Sequence, residues 1–223
     1  MTPQRFALIQ SVLARRQPDL TVVMDGVHKP HNLNAIIRSC DAVGVLEAHY
    51  VPVTGGYEPL NHYAKGAQKW VRTHEHASFS EAAKTLKERG FQLLAAHLSD
   101  TAVDYRQVDY TRPTAIVLGE ELHGISEKTA ALADRHIVIP MLGMTESLNV
   151  SVAAAVILFE AQKQRLAHGM YDNCRLPTHI YQKLLFEWAW PDVARRLQQQ
   201  DKPYPPLDEN GNLLNEQPIR LPG

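Results

Sequence analysis

The chain has 223 residues, 44% of them hydrophobic, and a formal charge of −1, so it is long enough to bury a substantial core. No apolar run approaches the ~20 residues that span a bilayer, and two cysteines are too few for a disulfide framework. The near-neutral balance excludes a protein coated in positive charge for nucleic acid.

The first stretch, MTPQRFALIQSVLARRQPD, is amphipathic, with a helix expected over residues 4–16. It lacks a continuous apolar core and a small-residue cleavage site, so the expectation is a cytoplasmic protein with no membrane partner. Residues 20–24 read as a strand opening the main domain. Pro30 pushes Lys29 out of helical geometry, which predicts a helix over 32–43 that stops at Gly44. A strand over 48–53, a short helix over 61–69 and a strand over 70–73 follow. Ser78 is suited to cap a helix through Arg89, and residues 91–99 form an apolar run of strand length. The polar segment 100–113 separates it from a strand at 114–118, after which Ser126 caps a helix to about 133.

Residues 136–140 are a short β-branched strand stopped by Pro140. From Val150 the period turns helical to residue 168: Val152, Val156 and Phe159 recur at three- and four-residue steps, and Gly169 ends the run. Strands alternating with helices predict an α/β fold, a mostly parallel sheet with helices on both faces. The domain would cover 20–168, with a helical extension at 1–19 and a helical, then proline-rich and extended, tail at 169–223.

Positive charge is terminal. Residues 1–38 carry five Lys/Arg against two Asp/Glu, residues 39–160 ten against fifteen, and the remainder eight against seven. A chain that binds RNA would therefore grip it with its ends and keep the middle for a small ligand. Any one arginine is more often a solvated helix face; the clustering is what favours RNA.

Three loops concentrate polar groups. HNLNAIIRSCDAVG (31–44) sets Asn32 and Arg38 on one helix, IVLGEELHGIS (116–126) ends a buried strand in glycines around a carboxylate pair, and PMLGMTESLN (140–149) leads into the long helix. Taken in isolation, Ser147 or Asn149 would be ordinary helix caps. In this order and at these separations, the three stretches resemble the SpoU class of RNA 2′-O-ribose methyltransferases, within the SPOUT superfamily. RRQPDLTVVMDGVHKPHNLNAIIR, LSDTAVDYRQVDYTRPT and KPYPPLDENGNL extend the likeness over nearly the whole chain, towards the branch that acts on guanosine-18 of the tRNA D-loop.

The resemblance implies a C-terminal deep trefoil knot, S-adenosyl-L-methionine as cofactor, tRNA as substrate and a homodimer. It assigns the cofactor to Ala96, His97, Leu98, Leu118, Gly119, Gly124, Ile139, Met141 and Leu148, and catalysis to Arg38, Asn32, Glu121, Ser147 and Asn149. Arg5, Arg15, Arg16, His31, Lys163, Arg165 and Arg175 would contact RNA. The class treats the matching arginine as a general base oriented by Asn32. A guanidinium holds its proton beyond about pH 12, so the physical expectation is a bidentate grip on the phosphate beside the target ribose. Glu121 should face the site and Glu120 the solvent. This chain departs from its class at Ala96, where relatives carry a hydroxyl, and at Leu122, where many have glycine. Methyl transfer needs no metal, and neither HEHAS nor VHKPH has the further ligands of a closed zinc site.

Ribosomal RNA as the substrate, and a non-catalytic RNA-binding module, remain as alternatives. The first is disfavoured by compact tails, the second by intact motifs. A nicotinamide dehydrogenase is excluded by the absence of G-x-G-x-x-G after the first strand.

Overall fold

The computed structural model describes residues 1–53, 66, 69–120 and 123–214. The helix expected at 61–69 falls almost wholly outside them, as do Glu121 and Leu122. The chain divides into two compact units, Gln17–Tyr171 and Met1–Arg16 with Asp172–Gly223. The two ends, read from sequence as separate extensions, thus belong to one unit.

The larger unit is a seven-stranded sheet in the order β3-β2-β1-β6-β4-β7-β5. Its strands are β1 (Leu20–Asp25), β2 (Glu47–Val51), β3 (Arg72–Glu75), β4 (Gln92–Ala96), β5 (Val103–Asp104), β6 (Thr114–Leu118) and β7 (Arg135–Val138). Every pairing is parallel. Because parallel strands need crossovers that cover both faces, the central strands are apolar throughout instead of alternating with polar residues. Their side chains still part by twos. Leu20, Val22 and Met24 join Ile36, Ile116, Leu118 and Ile157 on one face, while Val23 joins Phe79, Leu86, Leu93 and Val117 on the other.

Four helices supply these faces: α2 (Pro30–Ala42), α3 (Phe79–Glu88), α4 (Glu127–Leu132) and α5 (Val150–Ala167). Helix α2 starts two residues before the expected position. Lys29 is extended as anticipated, but Pro30 then occupies the first turn, where its missing N–H costs nothing. Strand β4 stops at Ala96 because its pairing with β7 ends at Ile137, and the polar 100–113 segment contributes β5. In α5 the buried side is Ala154, Ile157, Leu158 and Ala161. Val152 and Phe159, which set the helical period in the sequence, are instead about half exposed, at 46% and 50%.

Arg165 corrects the sequence reading. Expected on an RNA-binding surface, it is fully buried. Its Nε donates to Tyr110 O at 2.9 Å, Nη1 to Gln17 Oε1 at 3.0 Å and Asp19 Oδ1 at 2.6 Å, and Nη2 to Asp19 O at 3.0 Å and Arg112 O at 3.2 Å. All five donors of the guanidinium are used. One side chain thereby ties the end of α5 to the chain entering β1 and to the chain entering β6.

The second unit contains α1 (Pro3–Ala14), α6 (Thr178–Ala189) and α7 (Pro191–Gln199). Thr2 caps α1, which buries Phe6, Ile9 and Leu13. Arg16, also expected on RNA, is buried with its guanidinium 5.2 Å from the centre of the Trp188 ring. Its cation is used inside the unit. The proline-rich segment packs further than expected of an extended tail: Tyr204 stacks on Phe186 with ring centres 4.5 Å apart, and Trp190 Nε1 donates to Gly211 O at 2.8 Å.

Removing Arg165 takes away the buried cation from which the Asp19 carboxylate, Gln17 Oε1 and the Tyr110, Asp19 and Arg112 carbonyls all accept hydrogen bonds. We expect Arg165→Ala to destabilise the protein by about 3–5 kcal/mol in urea unfolding. Arg165→Lys should recover little, since an ammonium cannot span the same five acceptors; stability unchanged in Arg165→Ala would contradict this role.

Candidate cofactor pocket and active site

All seven strands point the same way, so their carboxyl ends lie along one edge, where open parallel sheets place ligands. Strands β4 and β7 are neighbours, and the segments leaving them run on together: His97 N–H donates to Ile137 O at 3.1 Å. Between those segments and the loop into α5 lies a pocket of about 160 Å³. Six of the nine residues expected at the cofactor line it: Ala96, His97, Leu98, Ile139, Met141 and Leu148. Ser147 lines it too, as do Glu146, Ala153 and Ile157, which the sequence reading missed. Ala153 and Ile157 look like plain helix residues in sequence, and nothing local distinguishes Glu146 from any solvated loop acid.

Leu118, Gly119 and Gly124 stand apart from this lining. The Leu118 side chain is in the core, at 1% exposure. Gly119 and Gly124 serve each other: a Cβ on Gly119 would lie 2.3 Å from both C and O of Gly124. The clasp is closed by two hydrogen bonds of 2.9 Å, Glu120 N–H to Gly124 O and Gly124 N–H to Glu120 O, with Gly124 at φ +69°. Glu121, expected to face the site, lies outside the described residues. Glu120 is not simply solvated; its Oε1 lies 3.2 Å from His123 Nδ1.

Two catalytic candidates 117 positions apart meet. Asn32, in the first turn of α2 and 1% exposed, accepts a hydrogen bond from Asn149 Nδ2 at 3.2 Å. Asn149 also caps α5, its Oδ1 accepting from Ser151 N–H at 2.9 Å and Ser151 Oγ–H at 2.6 Å. The helix cap and the motif contact are thus the same residue, acting through its two ends. Arg38 is further along α2, exposed. Arg5, Arg15, His31 and Lys163 are exposed and Arg175 is half-buried.

The histidines of the sheet edge form a different group. His49 Nδ1 is 2.8 Å from His76 Nε2, and His49 stacks on both His74 and His76 with ring centres 5.1 Å apart. Burial pushes His49 down to about 3, which keeps its own imidazole neutral. Among the described residues no three His, Cys, Asp or Glu side chains are arranged to hold a metal.

Parallel α/β architecture, a pocket at the carboxyl edge and, beside it, a buried Asn32 paired with Asn149 define a cofactor-binding α/β enzyme domain. Residues 19–159 match the SpoU rRNA Methylase family and residues 163–216 the SpoU, rRNA methylase, C-terminal family. The chain belongs to the SpoU methylase family. It is 58% identical over 187 residues to the tRNA (guanosine(18)-2′-O)-methyltransferase of Thermus thermophilus, covering 84% of this chain and 96% of that one. Its structure resembles the crystal structure of the Aquifex aeolicus TrmH/SpoU tRNA modifying enzyme, with TM-score 0.78, 44% identity, and coverage of 85% and 97% of the two chains. It also resembles the SpoU methyltransferase AviRb from Streptomyces viridochromogenes in complex with AdoMet, with TM-score 0.60, 27% identity, and coverage of 69% and 62%.

The Gly119–Gly124 clasp has a direct check. Gly119→Ala forces backbone against Cβ, and we expect hydrogen exchange at the Gly124 amide to accelerate about ten-fold or more. Exchange at the wild-type rate would show that the clasp tolerates a methyl group.

Proposed function

We infer that this chain transfers a methyl group from S-adenosyl-L-methionine to the ribose 2′-hydroxyl of guanosine-18 in the D-loop of tRNA. The observation that carries the reading is the convergence at one sheet edge of an apolar pocket and the Asn32–Asn149 contact. Family membership and the tRNA enzyme at 58% identity support the substrate.

The pocket fits the cofactor's chemistry. Leu98, Ile139 and Leu148 give apolar walls suited to a purine, and backbone at the strand ends gives polar groups for its edges. When bound, the cofactor supplies an electrophilic methyl on a cationic sulfur. The chain's own residues must bring the hydroxyl in line with it and accommodate the proton that leaves. Arg38 carries an exposed planar fork, suited to a bidentate grip on the phosphate beside the target ribose. Asn32, held by Asn149, ties the Arg38 helix to the loop bearing Ser147, so the phosphate grip and the pocket wall share one support.

The reading extends to a deep trefoil knot. Strand β7 enters between β4 and β5, both already laid down, and α5 then bonds back to residues 110–112 through Gln164 and Arg165. It also extends to a homodimer. Val152, Phe159 and Leu166, at seven-residue spacing on α5, are 46%, 50% and 55% exposed, and Leu142 and Met144 are fully exposed on the loop before it. An apolar stripe of that kind is suited to a two-fold contact with a second copy. Among the described residues no helix is long and apolar enough to cross a membrane. Cytoplasmic residence belongs to the same reading, since tRNA is its substrate. Exposed Arg5 and Arg15 and half-buried Arg175 suit the terminal unit to RNA contact, and Lys163 and His31 add cations on the larger unit.

The test is transfer of a labelled methyl group to unmodified tRNA transcripts, with mapping of the modified nucleotide. Label should appear at guanosine-18, and both Arg38→Ala and Arg38→Lys should lower turnover about 100-fold or more, since lysine keeps the charge and loses the fork. Near-normal turnover in Arg38→Lys would remove the bidentate grip; label confined to ribosomal RNA would change the substrate.

A further inference from the structure

Beside the pocket lies a chain of hydrogen bonds that the methyl-transfer reading does not use. Ser99 Oγ is 2.7 Å from His136 Nδ1, and His136 Nε2 is 3.1 Å from Ala130 O. A carbonyl can only accept, so Nε2 must carry a proton. In the neutral ring Nδ1 is then bare and accepts the Ser99 hydroxyl proton. Thr101 Oγ1, 3.4 Å from Ser99 Oγ, continues the chain. The His136 ring is thus held at both nitrogens, with its tautomer and its plane fixed.

That ring meets His97 at right angles, with centres 5.2 Å apart and planes at 88°. His97 lines the pocket, and its backbone is bonded to Ile137 on β7. The arrangement makes His97 a wall whose orientation is set by His136, and through it by Ser99.

Resting on the cofactor reading of this pocket, we propose that Ser99 and His136 are positioning residues which hold His97 as a neutral wall, and that this wall selects for the charge of the ligand. The cofactor carries a sulfonium; the product left after methyl transfer is the uncharged thioether. A neutral imidazole spares the cation, whereas an imidazolium in the same place would repel it and leave the thioether nearly unaffected. Burial, with the neighbouring His136 adding to it, holds His97 below the usual histidine range, so the wall stays neutral through physiological pH. The charged groups around the pair are few. Glu146 lines the same pocket; Asp134 and Arg135 stand at the start of β7, with Asp134 bonded to Leu93 N–H and Lys87; Asp100 is exposed after Ser99.

The experiment is calorimetric titration of S-adenosylmethionine and S-adenosylhomocysteine into the full chain at about pH 8 and at about pH 4.5, the lower value set well below the ordinary histidine pKa because burial holds His97 below it. Once the pH is low enough to protonate His97, the wild type should lose about five-fold in its preference for the cationic ligand. His97→Asn should abolish that change. Ser99→Ala should weaken S-adenosylmethionine at the higher pH, and Ser99→Thr, which keeps the hydroxyl, should restore it. A wild-type preference that does not move with pH, or that moves equally in His97→Asn, overturns the proposal while leaving the pocket a cofactor site. Failure of both ligands to bind the wild type at the higher pH overturns the proposal together with the cofactor reading.

Discussion

The buried guanidinium of Arg165 is the constraint on which the rest of this fold depends. Placing a cation in the interior is costly unless every donor finds an acceptor. Here the acceptors come from chain entering β1, from the segment entering β6 and from the Asp19 carboxylate. Satisfying that one group therefore places α5 relative to two central strands of the sheet. Helix α5 spans ~27 Å, and its far end carries Asn149. With the C-terminal end anchored by Arg165, Asn149 falls against Asn32 and the loop preceding it closes over the strand ends. A buried charge at one end of the helix and an amide pair at the other hold the helix that lines the pocket.

The site combines opposite solvation demands. Its walls are apolar, as a purine requires, while the cations of α2 that we propose for RNA, Arg38 and His31, are exposed. Between them lie side chains whose polar atoms are spent on one another: Asn32 with Asn149, Ser99 with His136, and Glu120 with Gly124 through the backbone. Such pairs rigidify a pocket without adding charge to it. That suits a reaction in which the incoming ligand brings its own positive charge.

Much of this was legible in the sequence. β-branched runs bounded by glycine and proline mark the central strands, since parallel strands are buried on both faces and show no polar alternation. The Asn32 and Asn149 motifs were visible as residue types at characteristic separations, although only the fold could show that they touch. Arg165 was misread for a definable reason: cations near helix C-termini are usually solvated, and its acceptors are scattered over residues 17–112, beyond any local pattern. Arg16 was misread in the same way, its partner Trp188 being far along the chain. The apolar period of α5 mixes two faces, one buried against α2 and the sheet and the other exposed, and periodicity alone does not separate them. Gly119 and Gly124 were expected at the cofactor through the resemblance, but what approaches Gly119 is Gly124 itself.

The most direct test of the central claim is a crystal structure of the chain with S-adenosyl-L-methionine bound. The adenosine should lie between the segments leaving β4 and β7, against Leu98, Ile139 and Leu148, with the Asn149–Asn32 hydrogen bond intact beside it. A cofactor seated elsewhere on the sheet edge, or an Asn149 turned away from Asn32 when the cofactor binds, would contradict the account.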